Sequence, residues 1–326
     1  MRPWTFLPSF LAAAGLAAAL ALPAAPAVVP MTGDPPDDLA GLIAAERHFA
    51  ARALETSIRD AFFEAVDADG IVFRPGPVNA KEFFRGRPSN PGPLLSWGPS
   101  YAEVSNYGDL GWTTGPWEFR AAKDKDPSAW GHFATVWQYG IDHKWHVLID
   151  YGNSHPKGAP EKLAFARVGG DKTAPRMMTL AEFAHGHRGL SSADSAYSQA
   201  LVHTGVKAAL TQFADADVRV YRDDKAPLIG AEAAGKALDH EWDHGAVAWG
   251  VGAGAIAKSG DLGFTYGTVD LPAGKKNDPT RRNVMRIWRR APGEDWKLAL
   301  DVTIPLPPGE AETRPAPPPV PEPKQP

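Results

Sequence analysis

The sequence predicts an α+β protein in which one fold, a curved antiparallel sheet wrapped around helices, is written twice. Three observations carry this expectation. The chain repeats itself at a nearly constant offset. Each repeat runs helices first and a meander of strands afterwards. The two ends of the 326-residue chain lack the patterning of either repeat.

The repeat is clearest in GDLGWTTG (Gly108–Gly115) and GDLGFTYG (Gly260–Gly267), identical at six of eight positions and 152 residues apart. The same offset pairs Trp97 with Trp249. An offset of 151 pairs Trp137 with Trp288, Trp145 with Trp296 and Asp150 with Asp301. Upstream, AVDADGIVFR (Ala65–Arg74) pairs with FADADVRVYR (Phe213–Arg222) at 148. A drift this small places insertions in loops, as a duplicated domain of about 120–150 residues requires.

Each copy opens with a long amphipathic helix. In the first, Leu39, Leu42, Ile43, Phe49, Ala53, Ile58, Phe62 and Val66 recur at helical spacing behind Asp37 and Asp38. In the second, a helix is expected from about Ser191, a serine cap, to Ala214, with Tyr197, Leu201, Val206, Leu210 and Phe213 on its apolar face. A short strand and a short helix (79–85 or 231–238) follow. Four β segments close each copy: 94–105, 109–120, 131–140 and 144–151, then 246–258, 262–271, 282–290 and 295–303, rich in aromatic and β-branched residues between Gly and Pro turns.

The ends read differently. Arg2 precedes a short Ala-rich apolar run that breaks at Pro23 and reaches Ala25-Pro26-Ala27, the pattern of a secretory signal cleaved after about residue 27. The expectation is a periplasmic or secreted protein with no stable membrane insertion after cleavage. From Pro305 the chain is Pro-rich without apolar periodicity, an extended tail. The expected organisation is thus a signal at 1–27, domains at 37–155 and 191–304, a linker at 156–190 and a tail at 305–326. Hydrophobic content of 44% against 22% charged residues suits a soluble core. A net charge of −4 without a basic stripe argues against a nucleic-acid partner. Eleven Trp and no Cys point to large aromatic cores or ligand cavities and exclude thiolate chemistry and disulfides.

The element order, LG(W/F)T.G on one strand and (V/I)W(Q/R)…W(K/H)….D on the last two resemble the nuclear-transport-factor-like fold, nearest its SnoaL-like and ketosteroid-isomerase-like group, over about residues 37–155 and 190–304. The resemblance implies two tandem cone-shaped α+β barrels, each with a cavity between sheet and helices. It implies pairing through the sheets, so that the fused copies form an internal pseudo-dimer, or the chain a homodimer. The superfamily spans isomerases, cyclases, dehydratases, binding proteins and assembly domains. The leading expectation is an exported binder of a small apolar or aromatic ligand, without cofactor or metal. The alternatives are an isomerase, dehydratase or cyclase-type enzyme, or a structural module.

Strand alternation nominates the cavity residues. Trp97, Trp112, Thr135, Trp137, Trp249, Tyr266, Arg286, Trp288 and Asp301 are the ligand-binding candidates. Asp150, with His146 or His132, is the candidate acid–base set, since a carboxyl among apolar neighbours has a raised pKa. The competing reading makes Asp150 and Asp301 structural, paired with Arg74 and Arg222, because both copies keep them. Differences between copies are therefore informative: His132, Thr135, His146 and Trp117 in the first stand where Asn283, Arg286, Lys297 and Val269 stand in the second. Arg286 is suited to grip a carboxylate or phosphate.

One further motif reads H-E-x-x-H, His240-Glu241-Trp242-Asp243-His244, the zinc-protease pattern. Its counterpart at offset 152 is Pro88–Gly92, PSNPG, a loop. On that comparison the match is coincidental and no zinc site is expected. The isolated His185-Gly186-His187 is expected to end a linker helix rather than to bind metal.

Overall fold

The computed structural model describes residues 39–158, 163–168, 176–239, 241, 248–270, 281–291 and 293–306, with the side chains of 167 and 248–252 left out. Unit one comprises α1 (Leu39–Glu55), α2 (Ile58–Ala65), β1 (Val66–Phe73), β2 (Pro77–Asn79), α3 (Ala80–Arg85), β3 (Leu94–Trp97), β4 (Tyr101–Val104), β5 (Leu110–Arg120), β6 (Ala129–Tyr139), β7 (Trp145–Ser154) and β8 (Ala164–Arg167). Unit two comprises α4 (Leu180–Phe213), β9 (Ala214–Tyr221), β10 (Leu228–Ile229), α5 (Ala231–Ala237), β11 (Ala248–Ile256), β12 (Leu262–Asp270), β13 (Arg281–Arg289) and β14 (Lys297–Pro305).

The two units share a sheet plan, with eight strands in the first and six in the second. Its order is β2-β1-β7-β6-β5-β4-β8 in the first, with β3 also on β5, and β10-β9-β14-β13-β12-β11 in the second. The meander is antiparallel as expected, but β1 joins β7, and β9 joins β14, in parallel. Among the described residues neither sheet closes into a barrel.

The opening helix of each unit breaks at the same place. Ser57 caps α2 after the end of α1, its side chain accepting from Asp60 N. Its counterpart 148 residues on is Gly205, which interrupts α4 at φ 81°, a backbone region open to glycine. The serine cap expected near Ser191 is displaced. Thr179 and Glu182 form a full capping box, so α4 begins at Leu180 and runs through His185-Gly186-His187. The expected linker is likewise partly structured: β8 pairs in parallel with β4, Tyr101 opposite Ala164.

Three core clusters result. The helices of unit one cover one face of its sheet, burying Leu42, Phe49, Phe62, Val72, Trp137, Trp145 and Val147 together. Those of unit two do the same over Tyr197, Leu201, Leu210, Val220, Trp288 and Leu298. The opposite faces of the two sheets share a third cluster, in which Phe73, Tyr101, Trp112, Val136 and Ile149 join Phe264, Tyr266, Met285, Ile287, Leu300 and Val302. Burial of large side chains on this scale supplies the main driving force in a chain without disulfides.

The repeated GDLG motif works at this junction. Gly108 and Gly260 take positive φ, 83° and 72°, in the turns before β5 and β12. Asp261 accepts the backbone N–H of Asn106 at 2.8 Å. Reciprocally, Asp109 accepts the backbone N–H of Lys258 at 3.1 Å. Donors and acceptors alike are 152 residues apart, so the two units exchange the same bond. Tyr221 of unit two reaches Thr114 of unit one at 2.9 Å, and Asn153 donates to the carbonyl of Arg222 at 2.7 Å.

Candidate functional site

The candidate site begins with a residue out of pattern. Glu46 lies within the apolar stripe of α1, between Leu42 and Phe49, and is fully buried against the sheet. Three donors hold its carboxylate: Trp97 Nε1 at 2.6 Å, Thr113 Oγ1 at 2.5 Å and Trp137 Nε1 at 3.1 Å. Burial pushes its pKa up to about 7, against those bonds, and the negative charge of Asp150 adds to the rise. Phe49 packs edge-on to Trp97 and Trp137 beside it.

Asp150 lies on the same face, opposite Thr135 in register, and accepts from Thr135 Oγ1 at 2.8 Å. No other hydrogen-bond donor to its carboxylate is found among the described residues. Burial raises its pKa to about 6, with Thr135 and the Arg74 charge opposing. Asp150 is only half-buried, and Arg74 is exposed although desolvation dominates its own lowered pKa.

Neither histidine joins them. Strand alternation alone puts His146, Leu148 and Asp150 on one face. A bulge intervenes: Trp137 pairs with Val147 and Val136 with Ile149, leaving Leu148 as the extra residue. Asp150 therefore turns to the helix face, while His146 turns away and bonds Asp142 at 3.0 Å in the turn. His132 points to the other unit. It is buried, stacks on His155 with Nδ1 to Nε2 at 2.7 Å, and lies 5.7 Å from the Tyr221 ring. The expected Asp–His pair is thus not assembled.

The ligand-binding candidates divide by layer. Trp97, Thr135 and Trp137 gather around Glu46 and Asp150. Trp112 and Tyr266 lie in the inter-sheet cluster, with Trp112 Nε1 donating to Glu103 at 2.9 Å. The side chain of Trp249 lies outside the described residues. Arg286, Trp288 and Asp301 form the counterpart site of unit two, where the same bulge recurs between Ile287 and Trp288.

That counterpart is closed. Asp194 takes the place of Glu46 and accepts from Thr265 Oγ1 at 2.7 Å, and Trp288 Nε1 donates to Thr265 at 3.2 Å. Arg286, in the place of Thr135, is fully buried and donates to Asp194 at 3.0 Å and Ser198 at 2.7 Å, over the Tyr197 ring. The guanidinium expected to grip a ligand grips the chain's own carboxylate. Asp301 accepts from Arg222 Nη2 at 3.0 Å, Tyr197 OH at 3.1 Å and Thr303 Oγ1 at 2.9 Å. The charges of Arg222 and Arg286 hold Asp301 below the ordinary aspartate range despite its burial.

In unit one three of these partners are changed. Phe49 replaces Tyr197, Gly152 replaces Thr303 and Thr135 replaces Arg286. Arg74, the counterpart of Arg222, is not bonded to Asp150. Of the zinc-like motif, Glu241 is described and is occupied by Arg222 and Arg282, while His240 and 242–247 lie outside the described residues. No group of three or more metal-ligating side chains, and no helix long and apolar enough to cross a membrane, occurs among the described residues.

No family model and no curated protein matches the chain. Similar solved structures include a ketosteroid isomerase-like protein from Erwinia carotovora atroseptica, 16% identical over 39% of this chain and 100% of its own, with a TM-score of 0.31. An NTF-2 like protein of unknown function from Shewanella oneidensis is 15% identical over 35% of this chain and 96% of its own, TM-score 0.29. An NTF2-like protein from Cytophaga hutchinsonii is 12% identical over 40% of this chain and 100% of its own, TM-score 0.30. The similar structures are NTF2-like. Each matches little more than a third of the chain, the length of one unit. At these TM-scores the topology, and not the likeness, is what defines the fold here.

Proposed function

We propose that unit one is a small-molecule-binding unit and unit two its structural partner. The observation that carries this is the asymmetry at equivalent aspartates: Asp301 has three hydrogen-bond donors and two neighbouring guanidiniums, and Asp150 has one donor and an open side. A half-buried carboxyl with a single donor, on the sheet face that also carries buried Glu46, suits an apolar or aromatic ligand with a polar end. The reciprocal Asp109 and Asp261 contacts support an internal pseudo-dimer in which unit two braces the sheet that presents the site. The Ala-rich run after Arg2, ending in Ala25-Pro26-Ala27, supports export to the periplasm or beyond.

A second reading is favoured by one observation. The pKa of Asp150, pushed up to about 6, is that of a carboxyl able to exchange protons near neutral pH. In an isomerase-type reaction Asp150 would remove a proton from carbon and return it elsewhere, without histidine. Native mass spectrometry of the full chain purified from its own source tests the binding reading. A released small molecule, lost in Asp150→Asn and retained in His146→Ala, supports it. Protein mass alone, with no change of Trp fluorescence on adding aromatic compounds, contradicts it. Proton exchange into the ligand, absent in Asp150→Asn, distinguishes the enzyme.

A further inference from the structure

Unit two seats a carboxylate of its own on the arginine that leaves its first strand. Both oxygens of Glu241 accept from Arg222 Nε, at 2.8 and 2.9 Å, and Oε1 takes Arg282 Nη1 at 2.9 Å. Arg222 in turn reaches Asp301 at 3.0 Å. The result is a line of outer carboxylate, guanidinium and inner carboxylate, with a second guanidinium on the outer member.

Unit one repeats the guanidinium and the inner carboxylate and omits the outer carboxylate. Arg74 stands 148 residues before Arg222 and makes the same backbone contact. Its Nη1 donates to the carbonyl of Phe73 at 2.6 Å, as Arg222 Nη1 donates to that of Tyr221 at 2.9 Å. The residue 152 before Glu241 is Ser89, whose hydroxyl is directed at Asp60 and Ser57. A second guanidinium is nonetheless present. Arg74 and Arg87 lie over the ring of Phe83, at 5.8 and 3.9 Å from its centroid. Both are exposed, and no carboxylate among the described residues is bonded to either. The Arg87 charge helps to lower the pKa of Arg74, behind the larger effect of burial. An anion between them would relieve that repulsion, and a planar, forked guanidinium matches the two oxygens of a carboxylate.

We propose that unit one takes a ligand bearing a carboxylate, which seats on Arg74 as Glu241 seats on Arg222, with Arg87 supplying the second guanidinium from a position other than that of Arg282. This deepens, and rests on, the small-molecule role proposed for unit one. The apolar part of the ligand lies against Phe83, and Asp150 is near enough for its charge to act on Arg74. The second copy thus carries a built-in stand-in for the ligand of the first.

The test compares 1-naphthoate with its neutral analogue 1-naphthamide on the full chain, by isothermal titration at one ionic strength. The acid is expected to bind at least about ten-fold tighter, the effect of a charge-assisted hydrogen bond. Arg74→Gln and Arg87→Gln are each expected to reduce that preference about ten-fold while leaving the amide unchanged, and Arg74→Lys to keep part of it. Equal binding of acid and amide by the wild-type chain overturns the carboxylate inference and leaves the binding role standing. A preference that survives both glutamine variants also overturns it, by placing the anion elsewhere. Binding of neither compound overturns the role of unit one together with the inference.

Discussion

Unit one and unit two are the same fold with opposite treatments of one carboxylate. In unit two, Asp301 lies in a closed network of Arg222, Arg286, Tyr197 and Thr303, and its charge is held deep in the core. In unit one, Asp150 keeps one hydroxyl donor and an opening to solvent. A duplication relaxes one copy to specialise in stability while the other retains a group in an unsettled state. The difference teaches that a residue kept in both copies need not have the same role in each. Identity of residue type fixes the carboxyl, and the neighbours decide how fully it is paired.

The largest test of this comparison is the same substitution in both units. Removing the carboxylate in Asp301→Asn leaves buried Arg222 and Arg286 short of a counter-charge, and is expected to cost about 3–5 kcal/mol in urea unfolding. Asp150→Asn removes a carboxyl that burial already disfavours, and is expected to change stability by less than about 1 kcal/mol, with a gain at pH 8. Equal losses would break the comparison.

Next in size is the junction. Asp109→Ala and Asp261→Ala each strand a buried backbone N–H of the opposite unit, at an expected cost of about 1–3 kcal/mol each. Because the two bonds are reciprocal, the two variants should lower the midpoint of unfolding to a similar degree. A large effect from only one would show that the two bonds are not equivalent in energy.

A pH profile sharpens the same contrast. Glu46 has a folded pKa of about 7 against an ordinary value near 4.5. A carboxyl raised on folding contributes stability that is complete below about 4.5 and is lost as pH climbs through about 7. Thermal unfolding of the wild type should therefore show a falling stability across this window. Glu46→Gln should flatten the profile, by an amount on the order of 2 kcal/mol between its ends. An unchanged slope in that variant would remove Glu46 from the account. The smallest effect is expected from His146→Ala, within about 0.5 kcal/mol, since its partner Asp142 lies in an exposed turn.

Much of the fold was legible because duplication doubled each signal: the helix-first order, the aromatic strands and the repeated GDLG could be checked against themselves. What local patterning missed was set by tertiary detail. The bulge at Leu148 inverts the face of Asp150 relative to His146, and no periodicity rule announces an extra residue in a strand. The capping box at Thr179 and Glu182 was readable as a start signal, but the serines at 191 and 192 competed with it. Glu46 escapes the strand-based choice of cavity residues because it sits on a helix, yet its signal is in the pattern. An acidic residue within an apolar helical stripe, matched by Asp194 at offset 148, marks a buried carboxylate from periodicity alone. Thr135 against Arg286 was visible as a difference. Its meaning, an open site against a filled one, depends on Arg286 turning inward to Asp194, which residue type does not determine.

The most direct test is the titration of Asp150 and Asp301 in one sample, followed by the carbon chemical shifts of their side-chain carboxyls. Asp150 is expected to take up its proton near pH 6 and Asp301 to stay ionised below the ordinary aspartate range. If both carboxyls titrate together below about pH 4, the ordinary aspartate value, the two units treat their aspartates alike, and the division between an open site and a closed one is wrong.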